Sequence, residues 1–101
     1  MEKFSSKIVE EYYEALIELV TAIMSANGWR TRAGDTGAHI ESIEHMRSYK
    51  EITEVDITLM DDLRKKRNAI KYYGKNIEPG FLIERENKIV QLLEKLTAMA
   101  K

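Results

Sequence analysis

The spacing of the apolar residues constrains the fold of this chain more than any other feature, because they recur every three or four positions over most of its length. That spacing collects them on one face of an α-helix, whereas a half-buried strand would alternate apolar and polar residues. In the first segment the residues with this spacing are Ile8, Val9, Tyr12, Tyr13, Ala15, Leu16, Leu19, Val20, Ile23 and Met24. The pattern predicts a first helix over residues 6–27.

Local signals mark both ends of this first helix. Ser5 or Ser6 can accept a hydrogen bond from the free N–H groups of the first turn and so cap the start of the helix. Asn27 and Gly28 favour a left-handed turn at its end, and Trp29 follows where an apolar residue folds back onto the last turn. Trp29 is therefore expected to cover the core rather than to bind a ligand.

Three more helices are predicted after an exposed connection over residues 30–37, which contains two glycines. A weakly amphipathic second helix covers 36–49, a third covers 54–73 and a fourth covers 79–99. The residues expected to face inward from these helices are Ile40, Ile43, Met46, Tyr49, Val55, Leu59, Leu63, Ile70, Tyr73, Leu82, Ile89, Leu93, Leu96 and Ala100.

The ends of the third and fourth helices also carry specific signals. Thr53 followed by Asp56 resembles a capping box with Asp in place of Glu. Gly74 suits the left-handed residue that ends a helix, and Pro79 suits the first position of the next one. A turn is therefore expected between these two helices.

A chain of 101 residues builds one hydrophobic core, so a single domain over residues 1–101 is expected. The composition, with 44% hydrophobic and 33% charged residues and a single Pro, excludes low-complexity disorder. No segment predicts a strand, and the connections between the helices are short. These features predict an all-α, up-and-down four-helix bundle.

Cysteine and histidine usage narrows the chemistry and the compartment. The chain has no Cys, which excludes disulfides and thiolate chemistry and favours a reducing cytoplasm. The most apolar stretch, residues 15–24, contains Glu18 and is shorter than the roughly 20 residues of a membrane span. His39 and His45 are about 240° apart on a helix, so they cannot share a metal. Neither a metal nor a cofactor is expected.

Charge is segregated toward the end of the third helix. Residues 61–75 contain six Lys or Arg and two Asp, a local charge of +4, which leaves −5 for the remaining residues of a chain whose formal charge is −1. Asp61 and Lys65 are four residues apart, as are Asp62 and Lys66, so both pairs can form ion pairs along the helix.

Arg67 and Lys71 have no acidic residue three or four positions away in either direction. On a helical wheel Arg67 lies beside Met60 and Leu63, so it borders the apolar face and should be partly buried. Such an arginine needs a carboxylate from another helix, or an anionic ligand. The sequence alone leaves both possibilities open.

The segment over residues 63–74 resembles the signature region of the HEPN family. The resemblance consists of the Arg67-Asn68 pair near a helical end, an aromatic residue followed by Gly74, and a further amphipathic helix. It implies a small helical bundle that is often a homodimer. It also implies either a metal-independent RNase, acting as the toxin beside a minimal nucleotidyltransferase antitoxin, or a non-catalytic module.

The active motif of that family is Arg, four to six intervening residues, and then His. Counted from Arg67, the positions for the His hold Tyr72, Tyr73 and Gly74, and counting from Arg64 gives no His either. Cleavage through a 2′-hydroxyl needs a proton acceptor near neutral pH, and a tyrosine with an ordinary pKa of about 10 is a poor one. An Arg still binds phosphate without any His.

The resulting site prediction is a surface for a nucleotide, RNA or a nucleotidyltransferase, and no residue is assigned a catalytic role. Its residues are Arg64, Arg67, Asn68, Lys71 and Tyr72. Tyr72 is expected to be exposed and Tyr73 to lie in the core. One alternative is an active toxin RNase in which Tyr72 or a histidine from elsewhere substitutes, and another is a structural oligomeric bundle without a ligand.

A homodimer is expected because the apolar stripe of the first helix is broader than a narrow bundle seam requires. The residues of its additional edge are Val9, Tyr13, Val20 and Met24.

Overall fold

The computed structural model describes residues 2–29 and 35–101, which contain four α-helices. These are α1 (Glu2–Ala26), α2 (Asp35–Met46), α3 (Glu54–Tyr73) and α4 (Pro79–Ala100). The described residues form no strand, so the predicted all-α class is confirmed for that part of the chain. Of the connection predicted over 30–37, residues 30–34 lie outside the described part and the remainder belongs to α2.

The predicted start of the first helix is wrong, because α1 begins at Glu2 and contains both serines that were expected to cap it. Ser5 and Ser6 are buried inside the helix. The Ser6 hydroxyl accepts a hydrogen bond of 2.7 Å from the N–H of Ile77, in the connection before α4. Ser6 therefore joins two distant segments of the chain instead of capping its own helix.

The other helix-end signals behave as predicted. Gly28 and Gly74 have φ values of 76° and 64°, in the left-handed region where glycine carries no steric penalty. Thr53 and Asp56 form a reciprocal capping box with hydrogen bonds of 3.0 and 3.1 Å. Pro79 is the first residue of α4. The boundaries of α3 therefore agree with the sequence prediction of 54–73.

The second helix is shorter than predicted, because α2 ends at Met46 rather than at residue 49. The N–H groups of Arg47, Ser48 and Tyr49 each donate to a carbonyl three residues back, at 3.0 to 3.1 Å. This tighter turn replaces the last predicted turn of α-helix.

Side-chain contacts fix the direction in which the helices run. Ser6 of α1 meets the connection just before α4, and the hydroxyl of Tyr12, further along α1, donates to Glu86 of α4 at 2.7 Å. The two helices therefore run in the same direction. Lys95, late in α4, donates to Asp56, early in α3, at 2.6 Å, so α3 runs in the opposite direction.

The four helices are compatible with a helical bundle, but these directions contradict the up-and-down order. Helices that reversed at each of three connections would leave α1 and α4 antiparallel, whereas they are parallel. His39 of α2 contacts Tyr13 in the middle of α1, and His45, later in α2, stacks on Trp29 beyond the end of α1. The second helix therefore runs in the same direction as α1. Connection length suggested a reversal, but these side-chain contacts decide the direction.

Several residues predicted to face inward are exposed instead, namely Ile40, Val55, Tyr73 and Ala100. In α3 the middle of the predicted stripe, Leu59 and Leu63, is buried as expected. The helix packs through Ile57, Met60 and Leu63, so Val55 and Tyr73, at the two ends of the predicted stripe, lie outside the core. Their exposed fractions are 67% and 75%.

The apolar edge of α1 that predicted a homodimer is not exposed to a second chain. The four residues of the additional edge of α1, Val9, Tyr13, Val20 and Met24, are all buried within one chain. The stripe is broad because α1 packs against each of the other three helices. A dimer therefore needs a different surface.

Candidate functional site

The five residues predicted to bind a ligand all lie in the second half of α3. Arg64, Arg67, Asn68 and Lys71 follow the i, i+3, i+4, i+7 spacing, so they share one face of the helix. Exposure increases toward the end of α3. Arg64, Arg67 and Asn68 are partly buried, while Lys71 and Tyr72 are exposed.

Arg64 has a carboxylate partner within its own helix. Its Nε lies 2.9 Å from Oδ1 of Asp61, and only 14% of its side chain is exposed. Lys65 approaches the other oxygen of Asp61 at 3.2 Å, which confirms the predicted pair. Partial burial raises the pKa of Asp61, but the hydrogen bonds from Arg64 and Lys65 outweigh it and lower the pKa overall. The charge of Arg64 is therefore largely balanced.

The second predicted pair, between Asp62 and Lys66, does not form among the described side chains. The Nζ of Lys66 instead lies 5.4 Å from the centroid of the Phe81 ring, at the start of α4. A contact between helices therefore replaces the expected ion pair along the helix.

Arg67 has no carboxylate partner among the side chains that the structure describes. Its guanidinium carbon lies 5.7 Å from the centroid of the Tyr13 ring of α1, within the range of a cation–π contact. The sequence predicted that Arg67 would lack an acid within its helix. The structure adds that no described acid from another helix replaces it.

Tyr13 connects Arg67 to the second helix. Its side chain is 1% exposed, and its hydroxyl lies 3.0 Å from Nδ1 of His39. Burial raises the pKa of Tyr13 to about 12, and the nearby charges of Arg67 and Arg64 lower it only in part. The phenol is therefore protonated at neutral pH, and which of the two groups donates in its bond with Nδ1 of His39 depends on the tautomer of the imidazole.

Three helices thus contribute one residue each to what we call the Tyr13–His39–Arg67 cluster. The rings of Tyr13 and His39 have centroids 5.6 Å apart, inclined at 57°. The sequence did not indicate this cluster, because Tyr13 was assigned to the apolar edge of the first helix that predicted a homodimer, and because His39 lies on a different helix from the basic run. His39 entered the sequence analysis only through the alternative in which a histidine from elsewhere in the chain replaces the missing histidine of the RNase motif.

The exposed end of α3 adds further polar and aromatic groups. The Nζ of Lys71 lies 5.4 Å from the ring centroid of Tyr72, and Lys71 forms no ion pair with a described side chain. The neighbouring Tyr73 is even more exposed than Tyr72. Together these residues give a surface that combines positive charge with two accessible phenols.

An acidic groove of about 530 Å³ lies where the first half of α1 meets the end of α3. Its lining residues are Ser6, Lys7, Glu10, Glu11, Glu14, Ile70 and Asn76. Since these carboxylates repel phosphates, an extended nucleic acid cannot follow this side of α1 favourably. The positive surface of α3 is therefore narrow.

The second histidine belongs to a separate aromatic cluster. Trp29 stacks on His45 with ring centroids 4.1 Å apart, and the rings of His45 and Tyr49 meet edge-on with centroids 5.7 Å apart. Trp29 also packs against the core, as predicted. Among the described residues no group of three or more His, Cys, Asp or Glu is arranged to hold a metal ion. None of the described helices has the length and apolarity of a membrane span.

No protein-family model matches the sequence, and no curated protein and no solved structure is significantly similar to the chain. The geometry of the cluster is therefore the basis for a functional interpretation. The cluster contains a guanidinium that has no carboxylate partner among the described side chains, a neutral phenol and an imidazole. Such a set of groups can bind an oxyanion.

Proposed function

We propose that this protein is a HEPN-like module that binds a phosphate group of a nucleotide or RNA through Arg67, without efficient catalysis. The observation that carries the proposal is the partly buried guanidinium of Arg67, which lacks a carboxylate among the described side chains. Lys71, Asn68 and Tyr72 on the same end of α3 supply the remaining contacts.

The energetics of Arg67 favour a ligand. Partial burial removes water from a cation without providing an ion pair in return. The contact with the Tyr13 ring returns only about 0.5 to 2 kcal/mol. A phosphate oxygen would provide the bidentate, charge-assisted hydrogen bonds that the guanidinium lacks. The acids of α1 favour a compact ligand, such as a nucleotide or the end of an RNA strand, over a long duplex.

The HEPN resemblance adds proposals about the cellular setting. It implies a cytoplasmic toxin–antitoxin pair in which a minimal nucleotidyltransferase is the partner. The exposed end of α3, with Lys71, Tyr72 and Tyr73, is the surface on which such a partner would dock. The resemblance also implies a homodimer. A monomer would leave the binding proposal intact, because every residue of the Tyr13–His39–Arg67 cluster comes from one chain.

Substitution of Arg67 tests the proposal. Arg67→Ala should weaken the binding of ATP or a short single-stranded RNA by about 10- to 100-fold, the value of a charge-assisted hydrogen bond to phosphate. Its melting temperature should stay close to that of the parent, because the variant loses the contact with Tyr13 but also removes a partly desolvated cation that has no ion pair. Arg67→Lys should restore little, because lysine lacks the planar fork. Fluorescence anisotropy and thermal unfolding provide the two measurements.

Arg85→Ala is the matched control. Its guanidinium also lies over an aromatic ring, 4.3 Å from the centroid of Phe81, but it pairs with Glu84. This variant should bind like the parent. If Arg67→Ala instead loses several degrees of melting temperature with unchanged binding, Arg67 is structural and the chain is a bundle without this ligand.

A second candidate function is RNA cleavage with His39 as the acid–base group. The observation in its favour is that His39 bonds to the same Tyr13 whose ring carries Arg67. An imidazole beside a cation supplies the proton transfer and the charge stabilisation that such cleavage needs. Incubation of the parent with a labelled RNA tests this function, and activity that His39→Ala abolishes would favour it over the binding module.

A further inference from the structure

The third and fourth helices both pack on α1, but their backbones scarcely approach each other. This separation leaves an open groove of about 300 Å³, which we call the α3–α4 groove. Its lining residues are Glu54, Val55, Thr58, Leu59 and Asp62 of α3 and Arg85 and Lys88 of α4. Leu59 is buried at the floor, whereas Val55 is an exposed aliphatic residue at the rim.

The two walls of the α3–α4 groove carry opposite charges. Glu54 and Asp62 lie on the α3 wall, and Arg85 and Lys88 lie on the α4 wall. Glu54 already pairs with Arg47 and Arg85 with Glu84, so the opposite charges of the walls come mainly from Asp62 and Lys88. Asp62 and Lys88 form no ion pair with a described side chain, so these charges are available to a partner. The groove thus offers an exposed valine between two walls of opposite sign.

We propose that the α3–α4 groove is a self-association surface whose occupant is the same groove of a second copy of this chain. A two-fold axis parallel to the groove places α3 of each copy against α4 of the other. Each acidic wall then faces a basic wall, and the contact between Asp62 and Lys88 occurs twice. The side chain of each Val55 is buried between the two copies and is no longer exposed to water.

Charge selects this symmetry over the alternative. A two-fold axis lying across the groove would place α3 on α3 and α4 on α4, so that acids meet acids and bases meet bases. The outer face of α4 is a poorer surface, although it exposes Ile83 and Val90. Two antiparallel copies of α4 centred on Val90 would bring Glu86 of one close to Glu94 of the other.

The oligomeric state of the full chain tests the proposal directly. Sedimentation equilibrium should show a dimer that forms in the micromolar range. Val55→Asp should weaken it at least about tenfold, because it places a charge inside the contact. Ile83→Asp is the control, since it changes a comparably exposed aliphatic residue of α4 outside the groove. Circular dichroism should show unchanged helix content in both variants.

A charge exchange between two copies makes the test specific. In a dimer of Asp62→Lys two lysines face each other at each contact, and in a dimer of Lys88→Asp two aspartates do. Like charges repel, so each variant alone should dimerise at least about tenfold more weakly. When the two variants are mixed, position 62 of each copy again faces an opposite charge at position 88 of the other copy. A heterodimer should therefore form. The control is a mixture of Glu94→Lys and Lys101→Glu, which makes the same charge changes outside the groove. Mixing these two variants should not raise the affinity above that of the parent.

Three results would overturn the proposal. The first is a parent protein that stays monomeric at all concentrations. This result counts against the proposal even if the groove then binds a helix of another protein. The second is a dimer that Ile83→Asp disrupts and Val55→Asp does not. The third is a mixture of Asp62→Lys and Lys88→Asp that forms no heterodimer. Arg67 takes no part in this groove, so any of these results leaves phosphate binding unaffected.

Discussion

Tyr13 has two roles that substitution separates, since its ring supports Arg67 and its hydroxyl bonds to His39. Tyr13→Phe keeps the ring and removes the hydroxyl. The lost hydrogen bond is partly buried, so we expect a loss of about 1 kcal/mol of unfolding free energy. In a chain of this size that is a fall in melting temperature of about 4 to 8 °C.

Removing the ring should cost more. Tyr13→Leu also abolishes the cation–π contact with Arg67, worth about 0.5 to 2 kcal/mol, and reduces side-chain volume at a residue that is 1% exposed. We expect a total loss of about 3 kcal/mol relative to the parent. The measurement is urea unfolding followed by circular dichroism, with the midpoint and slope reported separately.

Tyr12→Phe is the matched control for the hydroxyl. Tyr12 precedes Tyr13 in the same helix and donates to Glu86 at 2.7 Å, but this bond is exposed to water. Water replaces an exposed partner readily, so its loss should cost less than that of Tyr13. Equal losses in the two Phe variants would refute the burial of the bond between Tyr13 and His39.

The ionisation of Tyr13 gives an independent measurement. Its folded pKa of about 12 lies above the ordinary value of 10.0, so the folded state holds this proton more tightly than the unfolded state. The resulting stability is fully present below about pH 10 and is lost as the pH rises through about 12. Tyr13→Phe should lack this alkaline loss. An ultraviolet titration in which Tyr13 ionises near pH 10 would contradict the structure.

Further variants test other parts of the molecule. Tyr72→His restores the spacing Arg67 plus four residues plus His, and RNase assays should show activity above the parent if that position faces the bound phosphate. Asp56→Asn should cost about 2 kcal/mol in urea unfolding, because it loses the charged bond from Lys95. Burial raises the pKa of Asp56, but its hydrogen bonds outweigh this and lower it, so the contribution is present above about pH 4 and disappears as the pH falls below that value. Ser6→Ala leaves a buried N–H unsatisfied and should lower the free energy of unfolding by about 1 to 3 kcal/mol.

The helix ends that were predicted correctly depend on residues close together in the chain. Gly28, Gly74 and Pro79 act through their own backbone, and the capping box of Thr53 joins residues three apart. Such signals survive in any tertiary context. Ser6 failed as a cap because its hydroxyl meets a backbone N–H that is 71 positions away, a contact that only the folded chain creates.

The faces of the helices were less predictable for the same reason. Periodicity identifies an apolar stripe, but which edge of the stripe is covered depends on neighbouring helices. Val55 and Tyr73 belong to the stripe of α3 and are still exposed, because α4 packs on α1 and leaves them uncovered. For Arg67, spacing within the helix excluded a local acid, whereas its contact with Tyr13 required the packing of α1 against α3.

Tyr13→Phe also separates the two chemical hypotheses for the site. The ring that remains still supports Arg67, so phosphate binding should be nearly unchanged if the guanidinium alone carries it. The lost hydroxyl, by contrast, contacts His39 directly. If the parent cleaves RNA through His39, cleavage should fall in Tyr13→Phe while binding persists, and if the protein only binds, neither property should change. A loss of binding in this variant would mean that the hydroxyl itself contacts the ligand, and the neutral phenol would then join Arg67 as a binding group.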